Sequence, residues 1–193
     1  MITQLSTVKA RLGISEFEVA DDVLLTNALQ AVTERFDKEC RRTLARSADA
    51  QLEFSADETE LRVACYPIET VGQFELKANE IEGWLPQSGV KFLIRRRCVI
   101  SLATRLGSWC EQGRVMYTGG YVLPGNVAGP GQVELPQDLE QAAVEQVAYW
   151  YQNRNDLGVI REWPKGGTYR QFVDLDLLPS VRAVLRRHER WTG

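Results

Sequence analysis

The sequence contains few of the residues that build catalytic or metal centres. Its 193 residues include four cysteines and one histidine, His188. No two cysteines stand at the short spacing of a zinc site, and they are Cys40, Cys65, Cys98 and Cys110. We therefore expect no metal site, and we interpret the cysteines mostly as small core residues of a protein in a reducing, cytoplasmic environment.

The chain also lacks a long apolar run and an excess of positive charge. No segment approaches the roughly 20 apolar residues that a membrane helix needs, so no membrane association is expected. The N-terminal stretch MITQLSTVKARLGI does not have the pattern of a signal peptide. With 23 Lys and Arg against 26 Asp and Glu the net charge is −3, so any contact with nucleic acid would need a local basic patch.

Nucleotide-binding motifs are absent from the one glycine-rich stretch, YTGGYVLPGNVAGPG at 117–131. It fits neither the phosphate-binding GxxxxGK[ST] pattern nor the dinucleotide pattern GxGxxG. The helix-like segment after it begins with Asp138 and Glu140, whose carboxylates would repel a phosphate. No cofactor is predicted. The stretch is either a plain connector or a segment that meets a protein partner, and both interpretations stay open.

Nucleophilic and acid–base catalysis find little support in the sequence. The only imidazole, His188, lies among arginines near the C-terminus, and no GxSxG nucleophile elbow exists. The acidic pairs Asp21/Asp22 and Glu58/Glu60 occur at a helix start and in a turn, where capping and solubility explain them. No catalytic residue is assigned, and the chain is not predicted to be an enzyme.

Hydrophobic periodicity predicts helices at both ends of the chain. Ser6 and Thr7 are cap candidates for a first helix that Gly13 would end. A second helix begins after Asp21 or Asp22, with apolar residues at steps of three or four: Leu25, Leu29, Val32, Phe36, Cys40 and Leu44. A third follows Pro136 and ends near Asn155, and a last one spans Leu177 to Trp191, with Pro179 near its start.

Between these helices the pattern changes to short strands separated by turn signals. QLEFS, ELRVACYPIETVGQFELK, VKFLIRRRCVISL and GRVMYTGGYVL predict about four to six largely antiparallel strands. The predicted fold is α+β, a helical bundle from the N- and C-terminal segments with a central antiparallel β-rich insertion. The N-terminal helices occupy residues 1–47, the β-rich section 48–122, a flexible Gly/Pro loop 123–135 and the C-terminal helices 136–193, within one overall domain.

Two basic clusters are the remaining candidate sites. In a strand, Arg95 and Arg97 would share one face and Arg96 the other, which weakens a single patch for phosphates. In the last helix, arginines recur at i, i+4 and i+8, at Arg182, Arg186 and Arg190. That row is either a solvated helix face or a contact with an acidic subunit or with a DNA backbone.

Two blocks of the sequence resemble a known family. The first is MITQLSTVKARLGI followed by DDVLLTNALQAVTERFDKECRRTL, and the second is VMYTGGYVLPG followed by LPQDLEQAAVEQVAYWYQNRND. The second block has a glycine–tyrosine turn, a Leu-Pro helix start and an aromatic-ended helix that leaves through NRNDLG. In this order the blocks, roughly 70 residues in all, resemble the head–tail connector (adaptor) proteins of tailed bacteriophages.

The resemblance implies a non-enzymatic structural protein of the virion, assembled in the cytoplasm of the bacterial host. Such proteins have a helical core and form rings, typically dodecamers, which dock under the portal, help to close the filled head and receive the tail. Copies of the chain, the portal and tail or head-completion proteins are the implied partners, and DNA would pass through the ring. The β-rich section departs from the compact members of the family.

A head-to-tail ring needs only two complementary faces on one chain. Flexible-loop residues, aromatic residues outside the clear helices and the C-terminal arginines are interface candidates, the aromatic ones on condition that they are exposed: Gly119, Gly120, Tyr121, Pro124, Trp163, Tyr169, Arg182, Arg186 and Arg190. Two alternatives remain from the sequence. One is a nucleic-acid-binding module that uses the C-terminal arginines, and the other is a small enzyme.

Overall fold

The computed structural model describes residues 1–154 and 176–190. Within these ranges the chain forms four helices and seven strands, and the strands pair antiparallel, which confirms the α+β class. It separates into two compact units. The helical unit contains Met1–Cys40 and Pro136–Glu189, and the β unit contains Arg41–Leu135 with Arg190.

The first helix, α1, spans Leu5–Leu12 and ends where the sequence predicts. Gly13 takes a left-handed conformation with φ 71°, and its N–H caps the last turn. The prediction for the start of α1 was wrong, because Gln4 is the capping position and Ser6 lies inside the helix. The side chain of Lys9 is buried and donates to the Glu18 carbonyl at 2.7 Å, so α1 holds the segment that follows it.

The second helix, α2, spans Asp22–Cys40, and its predicted apolar stripe is confirmed. All five stripe residues within the helix are fully buried: Leu25, Leu29, Val32, Phe36 and Cys40. Leu44, which was predicted to extend the stripe, is also buried but lies beyond the end of the helix. Stripe residues lie on one side of a helix of 3.6 residues per turn, so burial of this side fixes the orientation of α2.

The two later helices are α3, Gln137–Gln152, and α4, Pro179–His188. Helix α3 contacts the other three helices. The buried amide of Gln146 on α3 receives a hydrogen bond from Leu178 N–H at 2.8 Å, which satisfies an otherwise unpaired donor at the start of α4. Helix α4 ends at His188 and not at the predicted Trp191.

The β unit contains two antiparallel sheets. In chain order its strands are β1 (Ser47–Ser55), β2 (Glu60–Arg62), β3 (Ile68–Lys77), β4 (Leu85–Gln87), β5 (Phe92–Arg95), β6 (Val99–Leu102) and β7 (Gln112–Gly119). The sheet orders are β1-β7-β3-β4 and β2-β6-β5. The predicted number of strands was too low, because a tight turn divides VKFLIRRRCVISL and because LPQ, interpreted as part of a turn, forms β4.

Both sheets contribute to one hydrophobic cluster. Phe54 and Val115 come from the four-stranded sheet, and Leu61 and Ile100 come from the three-stranded sheet. Across β3 and β7, the register places Glu75 opposite Arg114, and the two side chains form an ion pair in which each is largely shielded from solvent. A satisfied pair of this kind fixes the strand register, because a slip by one residue would separate the charges.

Candidate assembly surfaces

The glycine pair of the opening stretch lies inside the β unit. Gly119 and Gly120 are both buried, and a Cβ on Gly119 would lie 2.6 Å from the Cys65 carbonyl oxygen. Gly120 has φ +100°, and a Cβ there would lie 2.6 Å from the carbonyl oxygen of Ala45. The chain therefore needs glycine at both positions because backbone segments approach closely there.

Tyr121 does not meet the condition of exposure on which it was predicted as an interface residue. It is only 9% exposed, and its N–H donates to the Leu44 carbonyl at 2.8 Å. The buried guanidinium of Arg42 lies over the ring of Tyr66 at 3.3 Å and over that of Tyr121 at 5.1 Å. This arrangement stabilises the β unit through cation–π contacts and burial.

The segment at 123–135 is closed at its base by backbone hydrogen bonds. Val122 N–H donates to the Val133 carbonyl at 2.8 Å, and Leu135 N–H donates back to Val122 at 3.0 Å. Pro124 is half-buried, whereas Val127 is 94% exposed. Val127 is thus a large apolar side chain of this segment that is available to a partner, and no pattern in the sequence singled it out.

The C-terminal arginines do not form the row that a continuous helix would give. Arg190 lies beyond the end of α4 and donates to the Arg62 carbonyl in the β unit. Arg182 pairs with Asp176, and only Arg186 of the three predicted residues is classed as exposed. The predicted i, i+4, i+8 stripe is therefore wrong.

The single histidine forms a pair with the start of α3. His188 Nε2 lies 2.9 Å from Asp138 Oδ2, and Leu139 N–H donates to the other carboxylate oxygen. Burial acts to raise the pKa of Asp138, but the hydrogen bond and charge of His188 outweigh it, so that this pKa is lowered. The pair joins the start of α3 to the end of α4, which is a structural role.

A metal centre and a membrane-spanning helix are both absent from the part of the chain that the structure describes. No group of three or more His, Cys, Asp or Glu side chains is placed to hold a metal ion in residues 1–154 and 176–190. No helix in those ranges is long and apolar enough to cross a membrane. Trp163 and Tyr169, two of the predicted interface residues, lie outside the described residues.

An apolar groove between α2 and α3 is the first surface that sequence reasoning missed. It measures about 300 Å³ and is lined by Leu24, Leu25, Ala28, Ala31, Arg35, Trp150, Tyr151 and Arg154. The guanidinium of Arg35 lies 5.2 Å from the Trp150 ring centre. Val23, which precedes the lining residue Leu24 in the chain, is 73% exposed. The signal in the sequence was a second set of apolar residues on α2, outside the buried stripe.

The second missed surface is a tight turn, which we call the arginine turn (Arg95–Cys98). Arg96 and Arg97 have φ 50° and 56°, and Cys98 N–H donates to the Arg95 carbonyl at 3.1 Å. All three arginines are exposed. Their prediction as strand residues on opposite faces was wrong for Arg96 and Arg97, since the turn places both at the tip of the β5–β6 hairpin.

The third is the acidic loop (Glu80–Glu82), which lies between β3 and β4. Asn79 Oδ1 accepts hydrogen bonds from Ile81 N–H at 3.0 Å and Glu82 N–H at 2.9 Å, which gives the loop a defined shape. The Ile81 side chain is 97% exposed and that of Glu80 is 88% exposed. Glu80 forms an ion pair with Lys77 at 2.6 Å, and Glu82 accepts a hydrogen bond from Asn79 Nδ2 at 3.2 Å, yet both glutamates remain exposed. The loop therefore presents a large aliphatic side chain beside two accessible carboxylates.

Comparison with protein-family models and with curated proteins gives no match. Among solved structures, the chain is similar to chains of gene transfer agent (GTA) particles. In the virion of the native particle the TM-score is 0.63 at 17% identity. In the neck of the empty particle computed with C6 symmetry it is 0.61 at 14%, and in the neck of the native particle computed with C12 symmetry it is 0.58 at 14%.

Each of these likenesses covers 100% of this chain and 91% of the other chain. The likeness therefore includes the helical ends and the β-rich section, and it extends well beyond the two sequence blocks. It shows that this chain has the fold of chains found in the necks of phage-like particles. The predicted resemblance is confirmed at the level of the fold.

Proposed function

We propose that this chain is a structural protein of the neck of a tailed phage or phage-like particle, where it joins the head to the tail. The observation that carries the proposal is the likeness over the whole chain to neck chains of GTA particles. The two sequence blocks and the fold of the whole chain support the same class of protein. Such proteins act by contact with other subunits and need no catalytic centre.

More specifically, we propose that copies of the chain form a ring beneath the portal, that DNA passes through this ring and that the tail docks below it. Two of the similar structures were computed with C6 and C12 symmetry, which supports a cyclic arrangement and is compatible with a dodecamer. The portal, tail and head-completion proteins are the proposed partners, and assembly takes place in the host cytoplasm. A prophage is one natural source of such a chain.

The surfaces of the chain support an assembly role. Exposed aliphatic or aromatic side chains occur in both units, among them Val23, Ile81, Leu93, Trp109 and Val127. Large apolar side chains that are exposed in the single chain are available to be covered by a neighbouring subunit on assembly. Of the interface residues that the sequence suggested, the half-buried Pro124 and the exposed Arg186 stay in the proposal, and Trp163 and Tyr169 stay as sequence-based predictions.

Particle production without the gene tests this proposal. We expect DNA-filled or emptied heads without attached tails, and separate tails, when the gene is deleted, and joined particles when it is supplied again. Negative-stain imaging of the purified protein with its portal should then show an added ring. Complete, infectious particles in the absence of the chain would contradict the proposal.

The alternative of a nucleic-acid-binding module is less well supported. It relied on a row of arginines on the last helix, and the row is absent because α4 ends at His188. Arg182 and Arg190 also make contacts within the chain. The alternative of a small enzyme gains no support from a metal centre, because no group of three or more His, Cys, Asp or Glu among the described residues is placed to hold a metal ion.

A further inference from the structure

The arginine turn is held rigidly in an unusual conformation. Positive φ at two successive positions is normally occupied by Asn-Gly, because other side chains are strained there. Tertiary hydrogen bonds hold this backbone in place. Ile68 N–H donates to the Arg97 carbonyl at 2.7 Å, and Val63 N–H donates to the Cys98 carbonyl at 3.2 Å. Two exposed arginines are thus presented on a fixed backbone, where glycine would have been easier to accommodate.

The arginine turn and the acidic loop lie at opposite ends of one strand. Strand β3 begins at Ile68, which is bonded to the arginine turn, and ends at Lys77, just before the acidic loop. The pairing of β3 with β7 shows that the strand runs continuously between these two ends, with Ile68 opposite Gly119 and Lys77 opposite Gln112. A strand of 10 residues spans about 30 Å at roughly 3.3 Å per residue.

The two surfaces match in charge and in character. The arginine turn is flanked by Leu93 and Ile94, which are 68% and 39% exposed, and the acidic loop contains the exposed Ile81. Each surface therefore combines charge with an aliphatic side chain. Arginine forms two parallel hydrogen bonds with one carboxylate, which makes such a contact specific in geometry.

The aliphatic residues favour a protein partner over nucleic acid. A phosphate backbone is bound by cations and hydrogen-bond donors, and it gains nothing from exposed leucine and isoleucine. A second copy of this chain carries the complementary surface in the acidic loop. Because the two surfaces lie at opposite ends of the β unit, their contact is head-to-tail and can close a ring.

We propose that the arginine turn of one copy docks on the acidic loop of the next copy. Arg96 and Arg97 pair with Glu80 and Glu82 across the contact, and the neighbouring aliphatic side chains pack between them. This inference deepens the proposed neck function, on which it rests for the existence of a ring. It assigns the contact between copies to the β unit, the section in which the sequence departs from compact connector proteins.

Charge reversal tests the contact. One variant carries R96E and R97E, and a second carries E80R and E82R. Neither pair is buried, and the strain at positive φ is the same for Glu as for Arg, so both variants are expected to fold. Each alone should weaken self-association by about tenfold or more, measured by mass photometry and sedimentation with the portal present.

Mixing the two variants provides the decisive measurement. In an alternating assembly, every reversed turn meets a reversed loop and every native turn meets a native loop, so equal amounts should restore assembly. A control variant for R96E/R97E carries Arg11→Glu and Lys38→Glu, which make the same change in net charge at exposed positions of α1 and α2. It should assemble like the native protein.

The outcomes separate this inference from the proposed function. If both charge-reversal variants still assemble like the native protein, or if their mixture does not assemble, the inference is overturned and the proposed neck function is unaffected. Loss of DNA retention by R96E/R97E with unchanged assembly would instead assign the arginine turn to nucleic acid. If the native chain never self-associates, with or without portal, the contact between copies is refuted, whereas the gene deletion still tests the neck function.

Discussion

Replacing Gly120 by alanine is expected to destabilise the β unit through two separate effects. The first is conformational, because alanine at φ +100° costs about 1–2 kcal/mol. Part of this, about 0.4–1 kcal/mol, is offset because alanine also restricts the unfolded chain. The second effect is steric, because the new Cβ would lie 2.6 Å from the carbonyl oxygen of Ala45, a backbone atom that cannot rotate away.

Alanine substitutions at two other glycines separate the conformational effect from the steric effect. Gly131 has φ +83° and open space around its Cβ position, so G131A has the conformational cost alone, about 1 kcal/mol net. Gly119 is outside the positive-φ region, but the new Cβ of G119A would lie 2.6 Å from the Cys65 oxygen, so overpacking should cost about 1–3 kcal/mol. For G120A the two effects together give about 2–4 kcal/mol.

Urea unfolding followed by far-UV circular dichroism measures these differences, with the midpoint reporting stability and the slope reporting whether the unfolding reaction has changed. The expected order of destabilisation places G120A above G131A. If G120A is as stable as G131A, the close approach of the backbone at Ala45 does not exist. A neutral G119A would contradict the same reasoning at Cys65.

Three further changes test the packing and the charges. Phe36→Ala removes a fully buried ring of α2 and should cost about 3–5 kcal/mol in thermal unfolding; a loss below about 1 kcal/mol would contradict the described core. Glu75→Ala leaves the guanidinium of Arg114 without its carboxylate and should lower the free energy of unfolding by about 3–5 kcal/mol. Replacing both Glu75 and Arg114 by Met should recover much of that stability. Equal destabilisation in the single and the double variant would disprove the coupling between the two charges. Asp138→Asn should lower the free energy of unfolding near neutral pH. This difference from the native protein should vanish as the pH falls through the lowered pKa of Asp138, because the native carboxylate becomes protonated there. A difference that persists in acid would exclude the pair with His188.

The helices could be predicted from local patterns of residue type and spacing. The stripe from Leu25 to Cys40 was readable because a helix that buries one side must repeat apolar residues every three or four positions. Gly13 was readable as a helix end for an equally local reason, the left-handed conformation that glycine adopts without strain. The class of protein was also recognisable, since the two blocks keep the order of residues at helix starts and turns.

The surfaces could not be read in this way, because their positions depend on contacts between residues far apart in the sequence. The glycine–tyrosine turn resembled an exposed loop, but the bridge between Tyr121 and Ala45 and the close approach of Gly119 to the Cys65 backbone bury it. Arg96 and Arg97 resembled a continuation of the strand that ends at Arg95, and hydrogen bonds from Ile68 and Val63 hold a turn there instead.

The sequence by itself determined the helical segments, the α+β class and the absence of a recognisable catalytic motif, because each of these leaves a local pattern in residue type and spacing. Only the tertiary structure decided which charges and apolar residues face outward. The position of the arginine turn and the acidic loop at opposite ends of β3 follows from strand pairing, and strand pairing is a property of the folded chain.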